Sequence, residues 1–424
     1  MKKITFLFLL LSSTMISAAN LLVKEYGVNN TYPTIQAAID AASHGDSIIV
    51  YDKPSGMYWE ENIVVDKVVH IVNADGLRQN LNGDIKVEPI PGDIHTFIGV
   101  DLLSGHKFYT EYSIDSLTER CTINIIDCTA NTVNMDDDGL YVRLISNSIG
   151  TIYFKHGLMI DNTGNYFDIT SEQYNENDSL LIIGNRNYRG QINTNASLRI
   201  FNNYFLGENI NSPAEGQTCG NYNNCYSTTY TTSLSIDNFN QNPNVINYIA
   251  NNSFLSYINQ YQTQIYTGSN YMQHYATRST KALNVNYSSN LMIYNNVFDT
   301  AGNTSTEHIA IDGNGGGTPF VSHNYCEMGI IEIPINNEFN HYGSYSVDGS
   351  GRCSGDCVDG GIYLGKYNDI DGTRNDAGTY GGSYSIDNYL EESEGKARVY
   401  YIDMTNFLTS PNNISIKGGG ATIH

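Results

Sequence analysis

Residues Tyr32 to Gly76 read YPTIQAAIDAASHGDSIIVYDKPSGMYWEENIVVDKVVHIVNADG, and two periodicities meet within them. Ile35, Ala38, Ile39 and Ala42 recur at helical spacing, with Thr34 placed to cap the start and Gly45 placed to end the helix. After Asp46 the pattern changes to short apolar runs, Ser47 to Tyr51, Ile63 to Val65 and Val68 to Val72, each closed by Gly, Asp, Asn or Lys. Such runs read as brief strands joined by tight turns. A helix followed at once by stacked strands fits the first coil of a solenoid, whose open core and free strand edges need a cover.

The same reading extends along the chain through a returning phrase. It stands as LRIFNNYF at Leu198 to Phe205, VINYIANNSF at Val245 to Phe254 and LMIYNNVF at Leu291 to Phe298, with a looser VSHNYC at Val321 to Cys326. The second Asn falls at positions 203, 252, 296 and 324, so the longer gaps hold either two coils or one coil with a long loop. Neighbouring coils lie about 4.8 Å apart, so an inward Asn can bond the same Asn one coil away while the Phe rings stack beneath it. The expected fold is all-β, a right-handed parallel β-helix with an N-terminal capping helix.

Thr34 to Ala42, then Gly45-Asp-Ser-Ile-Ile-Val50, then Gly56-Met-Tyr58 with Glu61 to Val65 and Lys67, resemble the first coil and cap of the pectin-lyase-like superfamily. Asp369 to Gly382 (DIDGTRNDAGTYGG) is similar to a phrase that closes many secreted bacterial β-helix proteins. The resemblance implies the fold and leaves the reaction open, because such coils serve lyases, hydrolases, adhesins and inert stalks. The Asn-Thr-Asp, Asp-Asp, Gly-His-Gly and Arg-Ile-Lys blocks of polygalacturonases do not occur in order. The landmarks of pectin methylesterases are missing as well.

Met1, Lys2 and Lys3, the apolar run Ile4 to Leu11 and the small residues Ser17, Ala18 and Ala19 read as a signal peptide over residues 1–19. The expected location is secreted, periplasmic or cell-surface, with no membrane span after the signal is removed. The β-helix is expected over 20–382, followed at 383–424 by an acidic linker and a small β-appendage or cap with strands at Arg398 to Met404 and Asn413 to Ile416. A formal net charge of −22, from 22 basic and 44 acidic residues, argues against nucleic acid and anionic membranes as partners. With 33 Tyr and 14 Phe the chain has too many apolar bodies for disorder.

Seven Cys in an exported chain point to disulfides and one unpaired thiol. Cys219 with Cys225 and Cys353 with Cys357 could each close a small loop. Cys121 and Cys128 flank a strand-like run and are expected to stay apart unless that run turns.

No catalytic set emerges. A lyase would need a Lys or Arg base and a neutralised carboxylate, and the clustered basic groups of the central coils are Lys155 with His156 and Arg186 with Arg189. A hydrolase would need two carboxylates on stacked coils, for which Asp136, Asp137, Asp138, Asp161 and Asp168 are available. Asp369, Asp371, Asn375 and Asp376 have hard oxygens spaced to suit Ca²⁺ or to cap backbone amides at a turn. Tyr222, Tyr226, Tyr261 and Tyr271 fall in Asn- and Thr-rich segments that read as long loops, where aromatic faces beside amides grip sugars. Arg186, Arg189 and these four Tyr are the substrate-binding candidates. The reading is a secreted β-helix that binds a polysaccharide or cell-surface glycan without chemistry. The alternatives are a polysaccharide lyase or glycoside hydrolase acting in a groove, and a structural or adhesive rod.

Overall fold

The computed structural model describes residues 18–27, 31–53, 57–74, 79–114, 119–171, 179–207, 224–238, 240, 242, 245–255, 259–267, 270–287, 290–299, 309–315, 319–326, 330–332, 340, 344–363, 368–369, 371–382, 384–385, 397–404 and 416–422. Two large sheets of 13 and 18 strands dominate it, paired almost entirely in parallel. Alternation explains the strands: Asp46–Val50 and Val69–Asn73 both bury every second residue. Stacking turns those residues into columns. Ile48, Ile71, Phe97, Ile125, Leu144 and Met159 are register partners on successive strands of the first sheet, and all are buried. The fold is thus the stacked parallel array of a β-helix.

A single left-handed residue joins the first sheet to the second on most coils. Asp127, Ser146, Asp161, Asn202, Asn251, Asn295 and His323 have φ of 52 to 56°, and Gly99 and Gly184 take the same place. Asn and Asp tolerate this conformation better than other side chains, which accounts for the first Asn of each Asn-Asn pair. The second Asn turns inward. Asn147, Asn162, Asn185, Asn203, Asn252, Asn296, Asn324 and Asn340 form one continuous ladder, each Nδ2 lying 2.8 to 3.0 Å from the next Oδ1. Each Oδ1 from Asn162 onward also accepts the backbone N–H of the preceding rung. These buried amides are thereby satisfied, as a low-dielectric interior requires.

The Phe column also forms. Phe205 and Phe254 stack at 5.0 Å and 12°, and Phe254 and Phe298 at 4.9 Å and 6°. Ser197–Phe201 pairs directly with Ile246–Ala250, which pairs with Asn290–Tyr294, so each long gap holds one coil with an excursion. The excursions are strands, which corrects the loop expectation. Asn224–Asn238 and Asn270–Tyr287 run parallel, and Asn259–Thr267 pairs antiparallel with the latter. Their Asn- and Thr-rich composition conceals the strands, because hydrophobic alternation is absent where no core is covered.

At the N-terminal end, helix Ile35–Ala41 is fixed at both ends by the strand segment that follows. Thr34 accepts from the Ala37 N–H, while the Glu61 carboxylate accepts from Ile35 and Gln36 N–H at 2.8 and 3.0 Å. Lys67 Nζ donates to the carbonyls of Ile39, Asp40 and Ala42. Negative charge thus meets the helix start and positive charge its end, the favourable sense for the macrodipole. Gly45, with φ of 90°, lies in the turn after the helix rather than at its cap.

Residues 344–385 run back as a strap over the left-handed column. Asn202 Nδ2 donates to Thr379 O and Gly381 O, Asn251 Nδ2 to Asn375 Oδ1, and Asn295 Oδ1 accepts from Ile362 N. Cys353 and Cys357 form a disulfide within it. Three thiols, Cys121, Cys128 and Cys326, are free among the described residues, where one was expected, because each is buried at its own level of the stack. The chain does turn between Cys121 and Cys128, at Asp127, and still leaves them unbonded. Cys219 lies outside the described residues, as do 1–17 and 386–396. The terminal hairpin pairs Ala397–Met404 with Ile416–Thr422, so its second strand begins where the expected one ended. Among the described residues no helix is long and apolar enough to cross a membrane.

Candidate functional site

Strands of the second sheet bend once each. Their register skips Asn131, Gly150, Asn165 and Tyr188 on successive coils, and the segments beyond the bend present a flat outer face. Register fixes what lies on that face. Tyr109, Asn134, Tyr153, Asp168, Gln191 and Ser235 form one outward column, and Thr132, Thr151, Tyr166 and Arg189 form the next. Between Arg189 and Gln191, Gly190 turns inward, where a Cβ would lie 2.1 Å from the Phe167 ring. That close packing holds the two outward side chains at fixed height.

Tyr166 sits at the centre. Its hydroxyl donates to Asp168 Oδ2 at 3.2 Å and to Gln191 Oε1 at 3.4 Å, and its ring meets Tyr153 edge-on at 6.4 Å. The Arg189 guanidinium lies 5.0 Å from the ring centroid, within cation–π range. Thr170 Oγ1 donates to Asp168 Oδ1 at 2.8 Å. Burial, reinforced by the Asp168 charge, pushes the Tyr166 hydroxyl up to about 12, so it stays a neutral donor. Asn134, Arg189 and Gln191 are exposed, while Tyr153, Tyr166 and Asp168 are half-buried.

Asp136, Asp138 and Lys155 adjoin this patch. Lys155 Nζ pairs with Asp138 Oδ2 at 3.0 Å, and Asp138 Oδ1 lies 3.3 Å from His156 Nε2, which in turn is 3.2 Å from Ser171 Oγ. Burial works to lower the Lys155 pKa, but the Asp138 hydrogen bond and the charges of Asp138, Asp136 and Asp137 outweigh it and hold the ammonium protonated. A lysine so held is a poor base for β-elimination. Asp136 is held above the usual carboxylate range by burial, with Asp168, Asp138 and Asp137 adding to the rise and Lys155 opposing it. Asp137 is committed to structure, accepting from Ile114 N and Gly139 N. Asp161 is the left-handed residue of its coil and accepts from Ser146 Oγ.

The other sequence candidates divide. Arg186 precedes the bend and pairs in register with Thr163 and Tyr204, apart from Arg189 on the outer face. Tyr226, Tyr261 and Tyr271 lie on the strand excursions, and Tyr222 lies outside the described residues. In the acidic quartet, Asp369 accepts from Asp376 N and Gly382 N, Asp371 from Thr373 N and Oγ1, and Asp376 from Asp359 N. Asn375 Oδ1 accepts from Asn251. These oxygens cap turns of the strap and fasten it to the coils. Among the described residues no three His, Cys, Asp or Glu side chains gather in the manner of a metal site.

Tyr153, Tyr166, Thr170 and Gln191 escaped the sequence reading, since only register makes them neighbours. The chain matches no family model, no curated protein and no solved structure.

Proposed function

We propose that this is an exported β-helix protein of the pectin-lyase-like kind that binds an extended glycan along the outer face of its second sheet. The single observation carrying this reading is the Tyr153, Tyr166, Asp168, Gln191 and Arg189 group on adjacent coils. It combines aromatic faces, amide and carboxylate acceptors and a cation in one hydrogen-bonded patch, the chemistry that grips polyhydroxylated chains. Coils about 4.8 Å apart repeat that chemistry at close to the length of one sugar unit.

Affinity electrophoresis against a panel of soluble polysaccharides tests the reading. Tyr166→Ala and Asp168→Asn should each weaken binding while leaving the melting temperature within a few degrees. Retention of full binding by both variants would remove the site from consideration.

A second reading, glycoside hydrolysis, has one observation in its favour. Asp136 is raised and senses the Asp168 charge from two coils away, a separation of about 9.6 Å that lies at the upper end of the roughly 6.5 to 9.5 Å of inverting pairs. Release of new reducing ends, lost in Asp136→Asn, would promote that reading over binding alone.

A further inference from the structure

The strand excursions of two neighbouring coils build a small sheet of their own beyond the solenoid. Asn224 to Arg278 register partners continue outward from the strands whose later halves, Leu234 to Asn238 and Leu283 to Tyr287, belong to the second sheet. In the outer part, Asn270–Tyr287 is the middle strand, flanked by Asn224–Asn238 in parallel and by Asn259–Thr267 antiparallel. A run of nine residues at about 3.3 Å each carries this wing roughly 30 Å along its strands.

Register assigns the residues of the wing to its two faces. Directly opposed residues share a face, and alternate residues along a strand share it too. Tyr226 opposes Tyr275, Tyr275 opposes Gln262, Gln273 opposes Gln264, and Tyr271 opposes Tyr266. Filling in the alternate positions of the paired segments adds only Gln260, Thr277, Asn224 and Thr228. This face therefore carries Tyr, Gln, Asn and Thr alone, with no formal charge and no aliphatic residue. The opposite face differs sharply: it holds Tyr261 with Ile265, Met272, His274 and Arg278.

An uncharged face of this size is unexpected by composition on a chain of net charge −22. A protein partner would ask for an apolar centre with aliphatic anchors, and a charged polymer would ask for cations. Tyr rings interleaved with carboxamides instead suit a partner that offers C–H faces and vicinal hydroxyls and no charge. We propose that the Tyr226, Tyr271 and Tyr275 face of the wing is a second binding site, distinct from the Tyr166 patch, and that its ligand is an uncharged polysaccharide. The inference stands on the wing's register and composition and does not require the Tyr166 patch to bind anything.

The experiment uses the full chain and compares hydroxyethylcellulose, mannan and polygalacturonate in affinity electrophoresis, with and without added sodium chloride. A neutral polymer should retard the wild type, and salt should leave that retardation unchanged, since no charge is screened. The double variant Tyr226→Ser, Tyr275→Ser should weaken binding about tenfold, as expected for two lost aromatic contacts. Tyr261→Ser, on the other face, should bind as the wild type. Circular dichroism and melting curves of the variants report whether the fold is kept.

Several results would overturn the proposal. These are no retardation by any neutral polymer, retardation by polygalacturonate alone, or a folded double variant that binds normally. A double variant that changes only the sedimentation of the protein would instead make the face a contact between copies of this chain. The Tyr166→Ala arm separates the two sites. If it abolishes neutral-polymer binding while the wing variant does not, the wing falls and the outer-face reading stands. The reverse pattern leaves the wing and removes the outer face.

Discussion

Cys128 occupies the rung of the ladder next to Asn147 and makes the contacts that an asparagine makes elsewhere. Its backbone N–H donates to Asn147 Oδ1 at 2.9 Å, its Sγ accepts from Val100 N at 3.4 Å, and the thiol reaches Ile126 O at 3.2 Å. Burial pushes the thiol up to about 12, so it remains a donor. Cys128→Asn should therefore fold normally and gain up to about 1 kcal/mol through stronger hydrogen bonds. Urea unfolding measures this, and a loss of more than about 1 kcal/mol would show that the site does not accept the ladder geometry.

Within the ladder the opposite substitution should be costly. Asn252→Leu keeps the volume but leaves Asn203 N and Nδ2 without their acceptor and Ile200 O and Ala250 O without their donor. Buried unsatisfied groups of this kind predict a loss of about 3 kcal/mol. The same denaturant series reads it.

His95 gives the protein an acid limit. It is fully buried, and among the described residues neither ring nitrogen has a hydrogen-bond partner. Burial, only partly offset by Asp93, lowers its pKa from 6.5 to about 4. The unfolded chain thus binds a proton that the folded chain refuses between those values, so stability is full above pH 6.5 and falls as pH drops toward 4. The shift corresponds to roughly 3 kcal/mol. Melting curves from pH 7 to pH 4.5 should show the loss, and His95→Leu should reduce it; an unchanged slope would assign acid sensitivity to other groups.

The strap should come loose before the coils do. Asn251→Ala removes hydrogen bonds to Asn375 and to the Asp376 carbonyl, and Asp369→Ala releases the Asp376 and Gly382 amides. Each change should cost about 1 to 3 kcal/mol locally. Amide hydrogen exchange should accelerate across 375–382 while the ladder amides keep their protection. Uniform acceleration along the chain would mean that strap and coils open together.

The helix of the first coil and the inward Asn and Phe were legible because their spacing repeats in the sequence. The rungs at Asn147, Asn162 and Asn185 were not, since Ser146, Asp161 and Gly184 precede them and the doubled Asn is missing. The left-handed turn accepts any of these residues, so the phrase varies while the geometry does not. Glu61 and Lys67 were visible as part of a family-like opening, and the structure supplies their reason at the two helix ends. The Tyr166 patch could not be read, because Tyr153, Asp168 and Gln191 become neighbours only through coils of unequal length. Tyr261 and Tyr271 looked equivalent in sequence; strand parity puts them on opposite faces.

Stacked coils normally touch only the next coil, so such arrays can unzip from either end one layer at a time. The strap crosses from the level of Asn295 to that of Asn202, with Asn251 between them. It welds three layers into one melting block, whereas the layers from Cys121 to Asn185 depend on their immediate neighbours. Pulling on the chain should therefore give a sawtooth of small steps for that segment and one tall rupture for the block beneath the strap.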